Sequence, residues 1–126
     1  MSAARCILIV EDDADLRDSL LEVLGDAGYQ AIGAPNGQQG LDELDGMSVA
    51  PCLILLDLMM PVMDGREFRR RQLQDSRFAE VPIVIATAGR DTDPAVLVEM
   101  QPAAMLKKPF RIADLMRLVE QHCLQA

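Results

Sequence analysis

The chain has 126 residues, 50% apolar and 25% charged, with no Trp and three Cys. That size and balance fit one globular domain, able to bury a core without disulfides or a structural metal. The formal net charge of −8 argues against a nucleic-acid surface, which needs a basic face, and no apolar run approaches the roughly 18 residues of a membrane span.

The first residues, Met-Ser-Ala-Ala-Arg5, are too few for a signal peptide, so the expected location is cytoplasmic. Cys6, Cys52 and Cys123 are odd in number and widely spaced, without a C-x-x-C pair, so zinc and redox motifs have no support. Free thiols are expected. Cys6 and Cys52 begin strands that should be neighbours, and the pair is expected as two buried thiols rather than a disulfide.

In chain order, Cys6-Ile-Leu-Ile-Val10 reads as a strand buried on both faces. It runs into Glu11-Asp12-Asp13. From Ala14, apolar residues recur at helical spacing (Leu16, Leu20, Leu21, Val23, Leu24), and Gly25 and Gly28 mark the end of that helix. Gln30 to Ala34 is a weaker strand. Asn36, in the turn Pro35-Asn36-Gly37, is suited to cap a helix carrying Leu41 and Leu44. Cys52 to Leu56 is the most apolar strand, and it ends at Asp57. Beyond the breakers Pro61 and Gly65, Asp64 is placed to cap a third helix through Leu73. Val81 to Ala86 is a fourth strand, ending at Thr87. Asp93-Pro94 is a helix start. Ala104 to Lys107 is a short fifth strand, and Ile112, Leu115, Met116, Leu118 and Val119 form the stripe of a last helix. Five alternations of strand and helix predict an α/β fold, a parallel sheet with helices on both faces.

In such a sheet the site lies beyond the carboxyl ends of the strands. Those ends carry Glu11-Asp12-Asp13, Asp57, Thr87 and Lys107-Lys108. Two carboxylates about 4 Å apart repel by about 4 kcal/mol at an effective dielectric of about 20, and a cation relieves that repulsion. An oxygen-only donor set favours a hard ion, Mg²⁺ or Mn²⁺. One carboxylate is then available to attack phosphorus, with metal, ammonium and hydroxyl neutralising the transferring oxygens.

The pattern resembles the receiver domain of two-component response regulators across the whole chain, 1–126. The matching segments are Ile-Leu-Ile-Val-Glu11-Asp12-Asp13, Leu-Leu-Asp57-Leu-Met-Met-Pro61-Val-Met-Asp64-Gly65, Ile-Ala-Thr87-Ala88 and Lys108-Pro109-Phe110. The resemblance implies a doubly wound five-stranded parallel sheet in strand order 2-1-3-4-5. It implies Asp57 as phospho-acceptor. Mg²⁺ would be held by Asp12, Asp57 and the backbone carbonyl of Met59, with Glu11 acting through water. Thr87 would bond the phosphoryl oxygen and move inward, beside a small Ala88. Lys108 would pair with the phosphoryl group, aimed by a cis bond to Pro109. The implied partners are a sensor histidine kinase or histidine phosphotransfer protein and a downstream protein target. The domain would catalyse only its own phosphorylation and slow autodephosphorylation.

Several positions depart from the family or stand outside its motifs. Many receivers carry an aromatic residue three positions before the Lys; here it is Met105, and the usual Gly-Ala upstream is Gln101-Pro102. A flexible Met implies a blunter rotamer switch. Met59 and Gly89 occupy variable positions flanking the site, where a bulky Met59 is suited to shield the phosphoryl group. Asp13 reads as a helix cap and Lys107 as a solvated neighbour. Arg66, Arg69, Arg70 and Arg71 read as a solvated helix face, and His122 as exposed. Two rival readings remain. A haloacid-dehalogenase-type phosphatase needs a second acid two residues after the nucleophile, where Met59 stands. A phosphorylation-independent interaction module would ordinarily have lost an acid, the Thr or the Lys.

Overall fold

The structure is a computed structural model, and it describes residues 5–88 and 93–123. Five strands and five helices alternate: β1 (Cys6–Val10), α1 (Ala14–Asp26), β2 (Gln30–Ala34), α2 (Gly37–Asp45), β3 (Leu53–Asp57), α3 (Gly65–Leu73), β4 (Ile83–Thr87), α4 (Pro94–Met100), β5 (Ala104–Lys107) and α5 (Ile112–Cys123). The strands pair in parallel in the order β2-β1-β3-β4-β5, as expected. The chain therefore doubles back on either side of β1, which leaves the carboxyl ends of β1 and β3 side by side at the switch point.

Alternation along each strand divides the core into two layers. Ile7, Ile9, Leu53, Leu55, Val84 and Ala86 face α1 and α5, meeting Leu20, Leu24, Leu115 and Val119. Leu8, Val10, Ile54, Leu56, Ile83 and Ile85 face the other helices, meeting Leu44, Phe68 and Met100. With both faces covered, β3 and β4 are buried at every position, and hence read as continuous apolar runs.

Side chains close the helix starts. Asp13 accepts from the N–H groups of Asp15 and Leu16, Asn36 from Gln39, Asp64 from Glu67 and Asp93 from Ala95. Each cap satisfies an amide that the first turn leaves without a partner. One of these caps, Asp13, also fixes where the chain turns directly after the acidic end of β1.

Three expectations are corrected. Cys52 and Cys123 are joined in a disulfide with Cα atoms 5.4 Å apart, while Cys6 keeps a free thiol. β3 starts at Leu53, so Cys52 sits in the bend before it and its side chain packs on the α5 side of the sheet. Cys123 extends the buried α5 stripe of Leu115 and Val119 by one more turn. Arg69 is buried rather than solvated: its guanidinium donates to the carbonyls of Met100 and Gln101 and to Gln72 Oε1. Its neighbours Arg66, Arg70 and Arg71 are exposed and paired with Glu67 and Glu99. His122 is half-buried rather than exposed.

Candidate functional site

β1 and β3 are paired so that Val10 stands beside Leu56. The next residues, Glu11 and Asp57, therefore stand side by side at the carboxyl ends of these strands. Both are buried, at 3% and 5% exposure, whereas Asp12 is exposed. Glu11, Asp12 and Asp57 each bring a carboxylate oxygen within 4.8 Å of the others. Thr87, at the end of β4, is buried beside them in the sheet order. Its carbonyl accepts from the Lys108 N–H at 2.8 Å, which carries the chain from β5 over the same edge.

Lys108 is the centre of the charge arrangement. Its Nζ lies 2.5 Å from Glu11 Oε1 and 3.2 Å from Asp57 Oδ2. The peptide bond from Lys108 to Pro109 is cis. Lys107 is exposed, one position before it. Glu11 is itself held by its backbone, since its Oε2 accepts from the Asp13 N–H and its carbonyl accepts from Arg17 Nη1. The Met59 N–H donates to Asp57 Oδ1 at 3.2 Å. The Met59 side chain projects outward at 76% exposure, so it does not cover the carboxylate as its bulk suggested. Ala88 lies at the mouth, where it lines a small cleft with Lys108, Phe110 and Ile112. Gly89 lies outside the described residues.

Burial, reinforced by the Glu11 charge, pushes the Asp57 carboxyl up to about 7, against the opposing pull of Lys108 and the Met59 N–H. Asp12 responds differently. Burial works to raise it, but hydrogen bonding with Asp57 and Glu11 wins and lowers it. For Lys108 burial opposes the charge, and the Glu11 hydrogen bond with the charges of Asp57 and Glu11 outweighs it, raising the ammonium. Among the described residues, three acids with one ammonium leave excess negative charge at this edge. An all-oxygen donor set of that charge fits a hard divalent cation.

The edge thus unites Glu11, Asp12, Asp57, Thr87 and Lys108, with the Met59 backbone against Asp57. Asp13 stands apart as the α1 cap, and Met105 lies on β5 with its side chain 39% exposed. The direct Glu11–Lys108 pair is not foreseen in the sequence, where the resemblance gives Glu11 only a metal-side role. The close packing at Gly65, whose Cβ would stand 2.5 Å from the Asp57 carbonyl oxygen, is likewise not evident from its role as a breaker. The signal for that close approach was the glycine directly after the Asp64 cap.

Residues 7–120 match the family model of the response regulator receiver domain. An uncharacterized 14.6 kDa protein of Leptolyngbya boryana is 35% identical over 94% of this chain and 89% of its own length. The phosphate regulon transcriptional regulatory protein PhoB of Pseudomonas aeruginosa is 34% identical over 88% of this chain. The chain spans only about half of that regulator, 48%. Among solved structures, the chemotaxis protein CheY4 of Vibrio cholerae superposes with a TM-score of 0.85 at 27% identity, covering 95% of this chain and 99% of that one. The receiver domain of a Pseudomonas aeruginosa sensor histidine kinase, crystallized with magnesium coordinated in its active-site cleft, gives 0.83 at 26% identity over 98% and 100%. Among the described residues, no helix is long and apolar enough to cross a membrane.

Proposed function

Because the chain belongs to the response regulator receiver domain family, we propose that Asp57 accepts a phosphoryl group from a phosphohistidine and that the resulting acyl phosphate switches the domain's affinity for a protein target. The observation that carries this reading is the buried Asp57 carboxylate, flanked by Glu11 and Asp12 and ion-paired to Lys108 at a strand end. An Asp57 oxygen attacks phosphorus, the P–N bond to the donor imidazole breaks, and the imidazole leaves with that electron pair. The chain's contribution is placement and charge. Met59 N–H and Lys108 Nζ hold the two carboxylate oxygens at 3.2 Å each, which fixes the plane of the nucleophile.

A Mg²⁺ or Mn²⁺ ion, held by Asp12, Asp57 and the Met59 backbone with Glu11 through water, supplies positive charge to the phosphoryl oxygens when bound. Lys108 supplies the ammonium and stays in reach after transfer, since it already contacts Asp57 Oδ2. Thr87 supplies a hydroxyl donor from β4. Its inward movement, with Met105 in place of the family's aromatic residue, alters the β4–β5 side of the molecule. A two-state equilibrium biased in this way is enough to change partner binding. The partners on this reading are a sensor histidine kinase or histidine phosphotransfer protein upstream and a protein target downstream. The domain then acts on no other substrate, and loses the acyl phosphate by slow hydrolysis.

The test is intact-mass spectrometry after incubation with acetyl phosphate and Mg²⁺. One added phosphate is expected, absent in Asp57→Asn and absent in EDTA. A wild-type chain that stays unlabelled overturns the reading.

A further inference from the structure

The Cys52–Cys123 bond lies at the amino end of the sheet, the opposite edge from Asp57. It joins the bend before β3 to the last described turn of α5, across 71 residues. The two residues differ in exposure. Cys123 is fully buried in the α5 stripe, whereas Cys52 is only half-buried. Two surface grooves meet at Cys52. One is lined by Pro51, Pro82, His122 and Cys123, the other by Cys6, Ile32, Met47 and Val49. A small molecule arriving from solvent therefore meets the half-buried Cys52 before its fully buried partner.

We propose that Cys52 and Cys123 form a reversible thiol–disulfide site for low-molecular-weight thiols, with Cys52 as the exchanging sulfur, and that its redox state sets how firmly the end of α5 is held to the sheet. In the reductive direction a small thiolate attacks Cys52 Sγ, the bond to Cys123 breaks, and Cys123 leaves as a thiolate that takes up a proton. A second small thiolate then removes the first from Cys52, giving two protein thiols and one small disulfide. Oxidation runs the same steps backward with a small disulfide as oxidant, so electrons balance in both directions.

Three features support exchange over a fixed cross-link. The Cα separation of 5.4 Å lies in the ordinary range for bonded cysteines, so closing the bond needs no backbone rearrangement. The half-buried Cys52 is the one an incoming thiol meets first. Cys6, the remaining thiol, is held up by burial and by Glu43, which keeps it protonated and a poor competitor. The α5 turn has few other ties at this end. Cys123 and Val119 are its inward contacts, and no side-chain hydrogen bond among those described holds His122 or Cys123 to the sheet.

The test equilibrates the full chain in glutathione buffers of graded redox ratio, quenches with acid, alkylates free thiols and maps peptides by mass spectrometry. A Cys52–Cys123 peptide should appear and disappear reversibly across the series, while Cys6 alkylates throughout. Cys123→Ser should accumulate a mixed disulfide on Cys52. Cys52→Ser should leave Cys123 unmodified while folded. Hydrogen exchange on the wild type should show amides 119–123 exchanging at least tenfold faster when reduced. The oxidised chain should melt roughly 5–15 °C higher. Failure to find the linked peptide at any ratio overturns the proposal. So does a bond that small thiols cannot open without denaturant, or an unchanged exchange rate in α5.

Discussion

Gly65 lies directly beneath Asp57. A Cβ at position 65 would stand 2.5 Å from the Asp57 carbonyl oxygen and 3.0 Å from the Leu58 Cα, and both are backbone atoms that cannot turn aside. The Gly65 N–H also donates to the Leu58 carbonyl at 3.0 Å, which ties the start of α3 to the residue after the acceptor. Gly65→Ala should therefore force the β3–α3 connection outward, at a cost of about 1–3 kcal/mol from overpacking. Urea denaturation measures the loss. Phosphate labelling of the folded variant should fall at least tenfold, because the displaced backbone is the one that aims the carboxylate. Full labelling with normal stability would show that the loop relaxes without moving Asp57.

Asp57 makes the metal-free protein sensitive to pH in an unusual direction. The unfolded chain releases this proton near the ordinary 3.8, whereas the folded chain holds it up to about 7. Between those values the folded state binds more protons, so its stability falls as pH rises through the window and is level above it. The raised carboxyl therefore gives a loss of stability as pH rises through this window. Urea unfolding in EDTA from about pH 4.5 to 8 should show the decline, and Asp57→Asn should remove that component. Divalent cation must displace the same proton, so the apparent Mg²⁺ affinity should rise with pH and level off above about 7. Metal-free stability that climbs between pH 5 and 7, with no difference from Asp57→Asn, would contradict the buried placement.

Most of this site could be read from the sequence because each member terminates an apolar strand. Glu11 and Asp57 follow runs of buried residues, so strand ends and acids announce each other. The Asx caps made the helix starts equally plain. What stayed hidden depends on distant partners. Strand β4 begins at Ile83 rather than Val81, because Val81 closes a turn onto the Phe78 carbonyl and Pro82 has no N–H to donate. The burial of Arg69 is decided by carbonyls some 31 residues away. The disulfide closes 71 residues, a distance over which no local spacing carries a signal.

Lys108 and a divalent ion compete for the same carboxylates. The ammonium sits on Glu11 and Asp57, so Lys108→Met removes the cation that pairs with two of the three acids. Mg²⁺ affinity, by titration calorimetry, should rise, because the remaining carboxylates repel more strongly without it. Labelling by acetyl phosphate under saturating Mg²⁺ should nonetheless slow by about 10²-fold, the usual effect of losing one positioned donor to a developing charge. The two effects have opposite signs, which separates this account from simple misfolding, where both would fall. A weaker Mg²⁺ affinity in a folded Lys108→Met chain would show that the ammonium organises the cation site instead of opposing it.

Arg69 and Arg66 lie on the same helix and both reach α4, yet they should differ sharply on substitution. Arg69 is 7% exposed, and burial alone lowers its guanidinium from the ordinary value. Its Nε donates to the Met100 carbonyl at 2.8 Å, and its Nη2 to that of Gln101 at 3.3 Å. These are among the last carbonyls of α4, left without helical partners, and Gln101 adopts a left-handed φ of 50° there. Arg69→Ala strands the Met100 carbonyl and Gln72 Oε1 in a buried layer, and should cost about 2–4 kcal/mol. Lys at this position should recover only part of the loss, since an ammonium cannot span the carbonyls with a planar fork. Arg66 instead pairs with Glu99 in solvent at 2.6 Å, so Arg66→Ala should cost under about 1 kcal/mol. Denaturation of the three variants gives the ranking, and hydrogen exchange should place the Arg69→Ala loss at the end of α4. Equal small losses for Arg69→Ala and Arg66→Ala would mean that α4 keeps its position through its apolar contacts, Met100 among them, without the guanidinium.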